Sequence, residues 1–260
     1  MHLVNNSCNR GRPVHNHVLI FQIETLLMPH LPHRDSQAEL LLGGDGWAAH
    51  KEHGVLFTLD ATKCMFSSGN VTERGRMGRL SAAGETVVDL FAGIGYYTLP
   101  ILVKAGAAKV IACEWNPHAI EALRANLDAN GVSLRCEVRQ GDCREAAPKG
   151  VADRVLLGLL PSSTSGWATA VAALKSRGGW LHVHENVKDS EEANWIETTV
   201  EKFAELAADA GRQWKVSKAH LERVKWYAPH VRHVVLDLHC QEVAEPMEGA
   251  VSPPTKPQLA

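Results

Sequence analysis

Acidic residues and glycines at three places along the chain have the spacing of a nucleoside-binding site. An apolar run ends at Asp89 and is followed by the turn Gly93-Ile94-Gly95, and Glu114 lies about 20 residues beyond that turn. A carboxylate at this spacing can accept hydrogen bonds from both hydroxyls of a ribose, and glycines let a ligand approach the backbone closely. Asp142, after a third apolar run, can accept from the exocyclic amine of a base. These residues predict a nucleoside-type ligand.

The elements that would position these residues alternate between strands and helices. Alternation of this kind predicts an α/β fold with an open, mainly parallel sheet, and the carboxyl ends of its strands share one edge. The functional polar residues would therefore meet at that edge. The predicted strands cover 87–90, 109–114, 136–140, 151–157 and 180–185, and the predicted helices cover 98–104, 118–130, 166–176 and 189–210.

The two ends of the chain have different patterns. Residues 215–223 and 233–240 read as strands joined by a connection that contains Trp226 and Tyr227, which could stack on a base or pack in the core. Residues 36–42 have the pattern of one or two helical turns, and a glycine-rich breaker follows them. We expect an N-terminal segment of unknown role over 1–46 that could be partly disordered, a main domain over 47–241 and a Pro-rich tail over 242–260.

Composition and charge exclude several classes of function. The formal net charge is -2 at pH 7, so a polyanionic partner must be met by a local patch. The six cysteines form no CxxC pair and the histidines no HExxH motif, so we expect no metal and the reduced thiols of a cytoplasmic protein. No apolar stretch has the about 20 residues of a membrane span. The sequence also lacks the GxGxxG motif of dinucleotide-binding folds and the GKS or GKT of a P-loop, so hydride transfer and phosphoryl transfer have little support.

A polar segment before the glycine turn has two possible interpretations. On the structural interpretation its hydroxyl and amide side chains cap a helix and its arginines form a solvated basic face. On the functional interpretation Ser67 and Arg74 lie over the ligand and bind a carboxylate or a phosphate. The arginines of this segment, which could also contact RNA phosphates, are Arg74, Arg76 and Arg79.

Two stretches carry a resemblance to a known family. Asp89-Leu90-Phe91-Ala92-Gly93-Ile94-Gly95 followed by Cys113-Glu114-Trp115-Asn116-Pro117 resembles the class I S-adenosylmethionine-dependent transferases. The span from Cys64-Met65-Phe66-Ser67-Ser68-Gly69-Asn70 to Tyr227-Ala228-Pro229-His230 closely resembles the tRNA wybutosine-synthesizing protein 2 family, over roughly residues 47–241. The resemblance implies a Rossmann-like class I methyltransferase fold: a mainly parallel seven-stranded sheet, an antiparallel last strand and helices on both faces.

The resemblance also implies an activity. The family moves the 3-amino-3-carboxypropyl group of S-adenosylmethionine to the tricyclic wybutosine precursor beside the anticodon of phenylalanine tRNA, and it releases methylthioadenosine. It is related to the tRNA guanine-N1 methyltransferases, which are the nearest alternative. The first 46 residues do not match the family, and its usual N-terminal tRNA-binding region is not found. A non-catalytic cofactor-binding adapter is therefore a second alternative.

The resemblance implies roles for individual residues. It places Glu114 on the ribose, Asp142 and Cys143 at the adenine, and Ser67 and Arg74 at the amino-acid end of S-adenosylmethionine. The implied cofactor-binding set is Ser67, Arg74, Asp89, Phe91, Gly93, Gly95, Glu114, Asp142 and Cys143. The candidates for substrate contacts are Pro161, Glu185, Trp226 and Tyr227. No residue is assigned as a catalytic base.

The end of the fourth predicted strand bears on which group is transferred. Exocyclic-amine methyltransferases resemble one another in an Asn/Asp-Pro-Pro-aromatic motif there, and the guanine-N1 enzymes have Asn-Leu-Pro. This chain has Gly158-Leu159-Leu160-Pro161, without a side-chain acceptor at the first position. A sulfonium has three electrophilic carbons, and the carbon aligned with the nucleophile reacts. We hypothesise that the site presents the methylene of the aminocarboxypropyl arm and turns the methyl away.

Overall fold

The computed structural model describes residues 2–5, 18–22, 38–42 and 45–243, so nearly all of the predicted tail lies outside the described residues. Three short strands near the N terminus, β1 (His2–Asn5), β2 (Val18–Gln22) and β3 (Glu39–Leu42), form an antiparallel sheet. The prediction of helical turns over 36–42 is therefore wrong, because the backbone of β3 pairs with β2. Next come β4 (Trp47–Glu52) and β5 (Val55–Asp60), which form a hairpin.

A seven-stranded sheet organises the rest of the described chain. Its order is β11-β12-β10-β9-β6-β7-β8, and every neighbouring pair is parallel except the two pairs that involve β12. The predicted sheet with an antiparallel last strand is confirmed. The strands are β6 (Thr86–Asp89), β7 (Lys109–Glu114), β8 (Cys136–Gln140), β9 (Arg154–Leu157), β10 (Gly178–Lys188), β11 (Trp214–Ala228) and β12 (Val231–Glu242).

Helices cover both faces of this sheet, as predicted. On one face Phe57 of β5 and Leu99 and Leu123 of two helices are buried in a single cluster. On the other face Leu157 of β9 packs in a second cluster with Phe203. Burial of such side chains contributes roughly 1.5–3 kcal/mol each and fixes the sheet between the helices. The helices are α1 (Val71–Gly78), α2 (Thr98–Val103), α3 (Pro117–Ala129), α4 (Cys143–Ala146), α5 (Trp167–Ala173) and α6 (Glu192–Asp209).

The C-terminal hairpin differs from its prediction. Strand β11 continues to Ala228, so most of the predicted connection over 224–230 is strand, and only the residues around His230 turn the chain. His230 has a φ of 59°, the left-handed conformation of a tight turn. The sequence pattern is obscured because register shifts between Arg223 and Lys225 and between Trp226 and Ala228 interrupt the alternation of side chains.

Within the described residues, no helix combines the length and the apolar character that a membrane span requires.

Candidate functional site

Asp89 holds the glycine turn in place from the interior of the protein. Its carboxyl group is fully buried, and it accepts hydrogen bonds from Oγ1 of Thr98 at 2.8 Å and from the backbone N–H of Phe91 at 3.3 Å. Burial raises the pKa of Asp89 to about 6, despite these hydrogen bonds. Because the side chain faces the interior, the structure shows Asp89 supporting the turn that follows β6 and not reaching the open edge of the sheet.

The turn itself requires glycine at two positions. Gly93 and Gly95 have φ values of 55° and 99°, which side chains other than glycine rarely adopt. A Cβ at Gly95 would also lie 2.9 Å from Leu123 and 3.0 Å from Leu99. The turn therefore packs tightly against the first turn of α2 and against α3, and its backbone is presented at the carboxyl edge of the sheet.

Glu114 extends across this edge from the end of the neighbouring strand. One carboxylate oxygen accepts from the N–H of Gly93 at 2.7 Å, and the other accepts from the N–H groups of Trp115 at 3.0 Å and Asn116 at 2.9 Å. Three backbone donors thus hold the carboxylate against the glycine turn. Oε2, which accepts only from Gly93, has a second lone pair that can accept from a ligand hydroxyl. The structure brings Glu114, Gly93 and Gly95 together as predicted from their spacing.

Asp142 and Cys143 lie beside Glu114 at the start of α4. Asp142 accepts from the N–H of Arg144 at 2.9 Å, and the hydrogen bond with the Arg144 side chain lowers the pKa of its carboxyl group. The backbone connects this corner to the previous strand, because the N–H of Gly141 donates to the carbonyl of Glu114 at 2.9 Å. Burial raises the pKa of the Cys143 thiol to about 11, so this thiol is not a nucleophile at neutral pH. Its first-turn N–H is the group that suits a ring nitrogen.

Phe91 forms an apolar wall near this corner. It is half-buried, and it packs against the cluster on the α5 side of the sheet. Its ring lies 3.0 Å from the position that a Cβ on Gly166 would occupy. An aromatic face at the strand edge suits contact with a planar base.

The structure places Arg74 differently from the direct ligand contact that the sequence predicts. Its side chain is 1% exposed, and its Nε and Nη2 donate to the two carboxylate oxygens of Glu52 at 2.7 Å each. Its Nη1 donates to the backbone carbonyl of Ser67 at 2.7 Å. The guanidinium also lies 4.8 Å from the centre of the Phe66 ring. Arg74 therefore holds the loop that contains Ser67 from the protein interior. Its ion-pair partner, Glu52, is not predicted from the sequence.

Arg76 is also paired, whereas the sequence suggests a solvated or phosphate-binding side chain. It donates to Glu73 at 2.7 and 2.8 Å and to Asp237 of β12 at 2.6 and 3.1 Å. Nδ1 of His182 lies 2.6 Å from the same Asp237 carboxylate. Although burial raises the pKa of Asp237, His182 and Arg76 lower it below its usual range. This network attaches α1, which contains Arg74, to the sheet. Of the three arginines, only Arg79 is exposed.

The predicted substrate contacts lie at the β9 and β10 side of the same edge. Gly158 follows β9, and a Cβ there would lie 2.9 Å from the ring of Tyr97. Pro161 is exposed, and its carbonyl accepts from the N–H of Asn186 at 2.8 Å. Glu185 lies beside this loop, and its Oε2 is buried without a hydrogen-bond partner among the described residues. A buried carboxylate oxygen without a donor lowers the free energy of unfolding, unless the carboxyl group is protonated or a ligand supplies the donor.

Replacing Glu185 with glutamine is expected to change how stability depends on pH. Burial raises the pKa of Glu185 from 4.5 to about 7, so folding favours the protonated form, and that stabilisation is lost as the pH rises through about 7. Glutamine resembles the protonated form at every pH. We expect the variant to exceed the parent in unfolding free energy by about 1–3 kcal/mol near pH 8.5 and by much less near pH 4.5. Urea unfolding at both pH values measures the difference, and an equal difference at the two would contradict the expectation.

Trp226 and Tyr227 lie at the outer end of this edge. They are 53% and 52% exposed, so of the two interpretations that their sequence left open, core packing is wrong. Val231, at the start of β12, pairs with both Lys188 of β10 and Ala228 of β11, which places the hairpin end beside the carboxyl end of β10.

Sequence reasoning missed Thr98, Glu52 and Asp237. Thr98 stands at a helix start after the glycine turn, where a hydroxyl is a recognisable signal. Glu52 and Asp237 are distant in sequence from Arg74 and Arg76, and nothing in their local pattern indicates the ion pairs.

A mainly parallel seven-stranded sheet, a glycine turn after β6 and an acidic residue at the end of β7 define the class: this is the fold of the class I S-adenosylmethionine-dependent methyltransferases. The model of the family described as the TRM5/TYW2 methyltransferase domain matches residues 48–216. The chain belongs to this family.

Three similar proteins extend the comparison. Over 208 residues the chain is 57% identical to the tRNA wybutosine-synthesizing protein 2/3/4 of Arabidopsis thaliana, with 80% of this chain and 21% of that protein covered. The M. jannaschii TYW2 structure in complex with AdoMet is 34% identical with a TM-score of 0.72, and the match covers 80% of this chain and 92% of that one. The P. horikoshii TYW2 structure in complex with MeSAdo is 36% identical with a TM-score of 0.71, covering 80% and 76%. The chain thus spans about a fifth of the length of the Arabidopsis relative.

Proposed function

We propose that this chain binds S-adenosylmethionine at the carboxyl edge of its sheet. The observation that carries the proposal is the Glu114 carboxylate, which three backbone N–H groups hold against the Gly93 turn. In this arrangement Oε2 of Glu114 accepts from the ribose, while Asp142 and the Cys143 N–H bind the adenine edge and Phe91 contacts the base. Ser67, held by Arg74, meets the amino-acid end. The M. jannaschii relative that binds AdoMet supports the choice of ligand.

We propose that the transferred group is 3-amino-3-carboxypropyl. The bond between the sulfur and the methylene of this arm breaks, the sulfur leaves as the neutral thioether methylthioadenosine, and the acceptor base forms a bond to the methylene and loses a proton. Two observations support this choice. The P. horikoshii relative binds MeSAdo, the nucleoside that remains after this transfer. At the end of β9 the motif begins with Gly158, which packs on Tyr97 and has no side chain to bind a base.

The acceptor that we propose is the tricyclic wybutosine precursor beside the anticodon of phenylalanine tRNA. The name of the Arabidopsis relative supports this class of substrate. Pro161 and Glu185 form the part of the edge where the base would lie, and the unpartnered Oε2 of Glu185 is suited to a donor on it. Catalysis then depends mainly on orientation, because the sulfonium is already an activated leaving group.

Nucleoside analysis tests the proposed substrate and separates it from the guanine-N1 alternative. The chain is incubated with S-adenosylmethionine and phenylalanine tRNA that carries the tricyclic precursor, and in parallel with the same tRNA bearing unmodified guanosine. We expect mass spectrometry to show an aminocarboxypropyl adduct on the tricyclic base alone. A methylated guanosine would support the guanine-N1 activity. Binding of S-adenosylmethionine without any modified nucleoside would favour the adapter.

A further inference from the structure

The end of the β11–β12 hairpin exposes two adjacent aromatic side chains. Trp226 and Tyr227 are 53% and 52% exposed, whereas Trp167 and Trp214 are buried. Neighbours on a regular strand point to opposite faces of the sheet. The register shift between Trp226 and Ala228 leaves Tyr227 without an opposite residue in β12, so the regular alternation is broken here. β11 is also the outermost strand of the described seven-stranded sheet.

A guanidinium lies over one face of the exposed indole. Arg232 is the residue opposite Trp226 in the hairpin, and its Cζ is 3.9 Å from the centre of the indole ring. The exposed half of Trp226 is therefore its other face and its edge. Among the described residues the Nε of Arg232 is buried without a hydrogen-bond acceptor. A cation held on an aromatic ring favours an anionic partner with a planar group.

The position of this surface relates it to the candidate site. Arg232 also pairs with Val187, near the carboxyl end of β10, which is the edge where Glu185 and the Pro161 loop lie. A second cation of the hairpin, Lys225, extends to the loop that contains Ser67, because its Nζ lies 2.7 Å from the position of a Cβ on Gly69. A macromolecule that places a base at this edge would therefore pass the hairpin end.

We propose that Trp226, Tyr227 and Arg232 form a platform that stacks an unpaired base of the RNA substrate and neutralises an adjacent phosphate. The inference rests on the proposed function, because that function supplies the RNA. Bases of single-stranded loops stack on aromatic side chains and on guanidinium planes, and this contact tolerates any base because each has a π-face. The platform holds a nucleotide near the modified one, so it contributes to RNA affinity and leaves cofactor affinity unchanged.

Binding of an anticodon stem–loop RNA to the full chain tests the platform. We expect Trp226→Ala to weaken binding about ten- to a hundredfold, the usual contribution of one stacked base, and Trp226→Phe to retain most of the affinity. Arg232→Gln is expected to lower the slope of log affinity against log salt by about one. The control is Leu134→Ala, because Leu134 is fully exposed and lies outside both surfaces.

The outcomes separate the platform from the proposed function. RNA affinity of Trp226→Ala within twofold of the parent, or a parent that does not bind the RNA, overturns the platform, whatever the transfer assay shows. RNA binding that depends on Trp226 supports the platform even if no aminocarboxypropyl product forms, in which case only the proposed reaction fails. Calorimetry with S-adenosylmethionine must give the same affinity for parent and variants, since a changed cofactor affinity would show that the substitution disturbs the sheet edge.

Discussion

Replacing Glu114 with alanine is expected to raise the dissociation constant for S-adenosylmethionine by a hundredfold or more. The ribose would lose its hydrogen bond to Oε2 of Glu114, and a hydrogen bond to a charged group contributes about 1.5–3 kcal/mol. The substitution also removes the acceptor that Gly93, Trp115 and Asn116 share, so the glycine turn loses its support. Isothermal calorimetry measures the change, and thermal unfolding verifies that the variant is folded.

A ligand analogue separates the ribose contact of Glu114 from its support of the turn. Methylthioadenosine and its 2′,3′-dideoxy analogue are compared on the parent and on Glu114→Ala. We expect the parent to discriminate strongly between the two ligands and the variant to bind both equally weakly. The matched control is Glu121→Ala, an exposed glutamate on α3. Equal binding of the two ligands to the parent would contradict the ribose contact.

Replacing Arg74 with alanine is expected to lower the unfolding free energy by about 3–5 kcal/mol. The substitution leaves the Glu52 carboxylate, whose side chain is 8% exposed, without the guanidinium that binds both its oxygens, and only His50 Nε2 at 3.3 Å remains beside it. A buried charge that has lost its main partner is costly. It also removes the donor that holds the carbonyl of Ser67. We therefore expect a loss of S-adenosylmethionine affinity in addition to the loss of stability. Chemical denaturation and calorimetry measure the two effects.

Two further variants determine whether the Arg74 effect comes from the buried ion pair. Arg79→Ala is the matched control, because Arg79 is exposed at the end of the same helix, and its effect should stay within about 0.5 kcal/mol. The double variant Arg74→Met with Glu52→Leu removes both charges, so it should recover much of the stability. It should not recover the cofactor affinity, since the Ser67 carbonyl still lacks its donor. Equal stability of Arg74→Ala and Arg79→Ala would contradict the account.

The sequence predicts the sheet and the ligand edge because their signals are local. The apolar runs that end at Asp89 and Glu114 have strand length, and the glycine turn identifies the point where a strand gives way to a helix. In a parallel sheet these strand ends must meet at one edge, so proximity follows from topology alone. The contact between Glu114 and Gly93 is a direct consequence.

The parts that escaped prediction depend on tertiary contacts. Arg74 has the sequence context of an exposed helix residue, but the hairpin that contains Glu52 folds over it and buries it. Trp226 lies in a strand whose alternation is broken by register shifts, so its pattern resembles a loop. In both cases the deciding partner, Glu52 or Arg232, is brought by another strand, and local periodicity contains no information about it.

The fate of two labels tests the central claim, transfer of the aminocarboxypropyl arm, most directly. S-adenosylmethionine with a tritiated methyl and a radiocarbon-labelled carboxyl is incubated with the chain and with phenylalanine tRNA that carries the tricyclic precursor. The account predicts that radiocarbon enters the tRNA while tritium stays in methylthioadenosine. Tritium in the tRNA, with radiocarbon retained in adenosylhomocysteine, would contradict it and identify a methyltransferase.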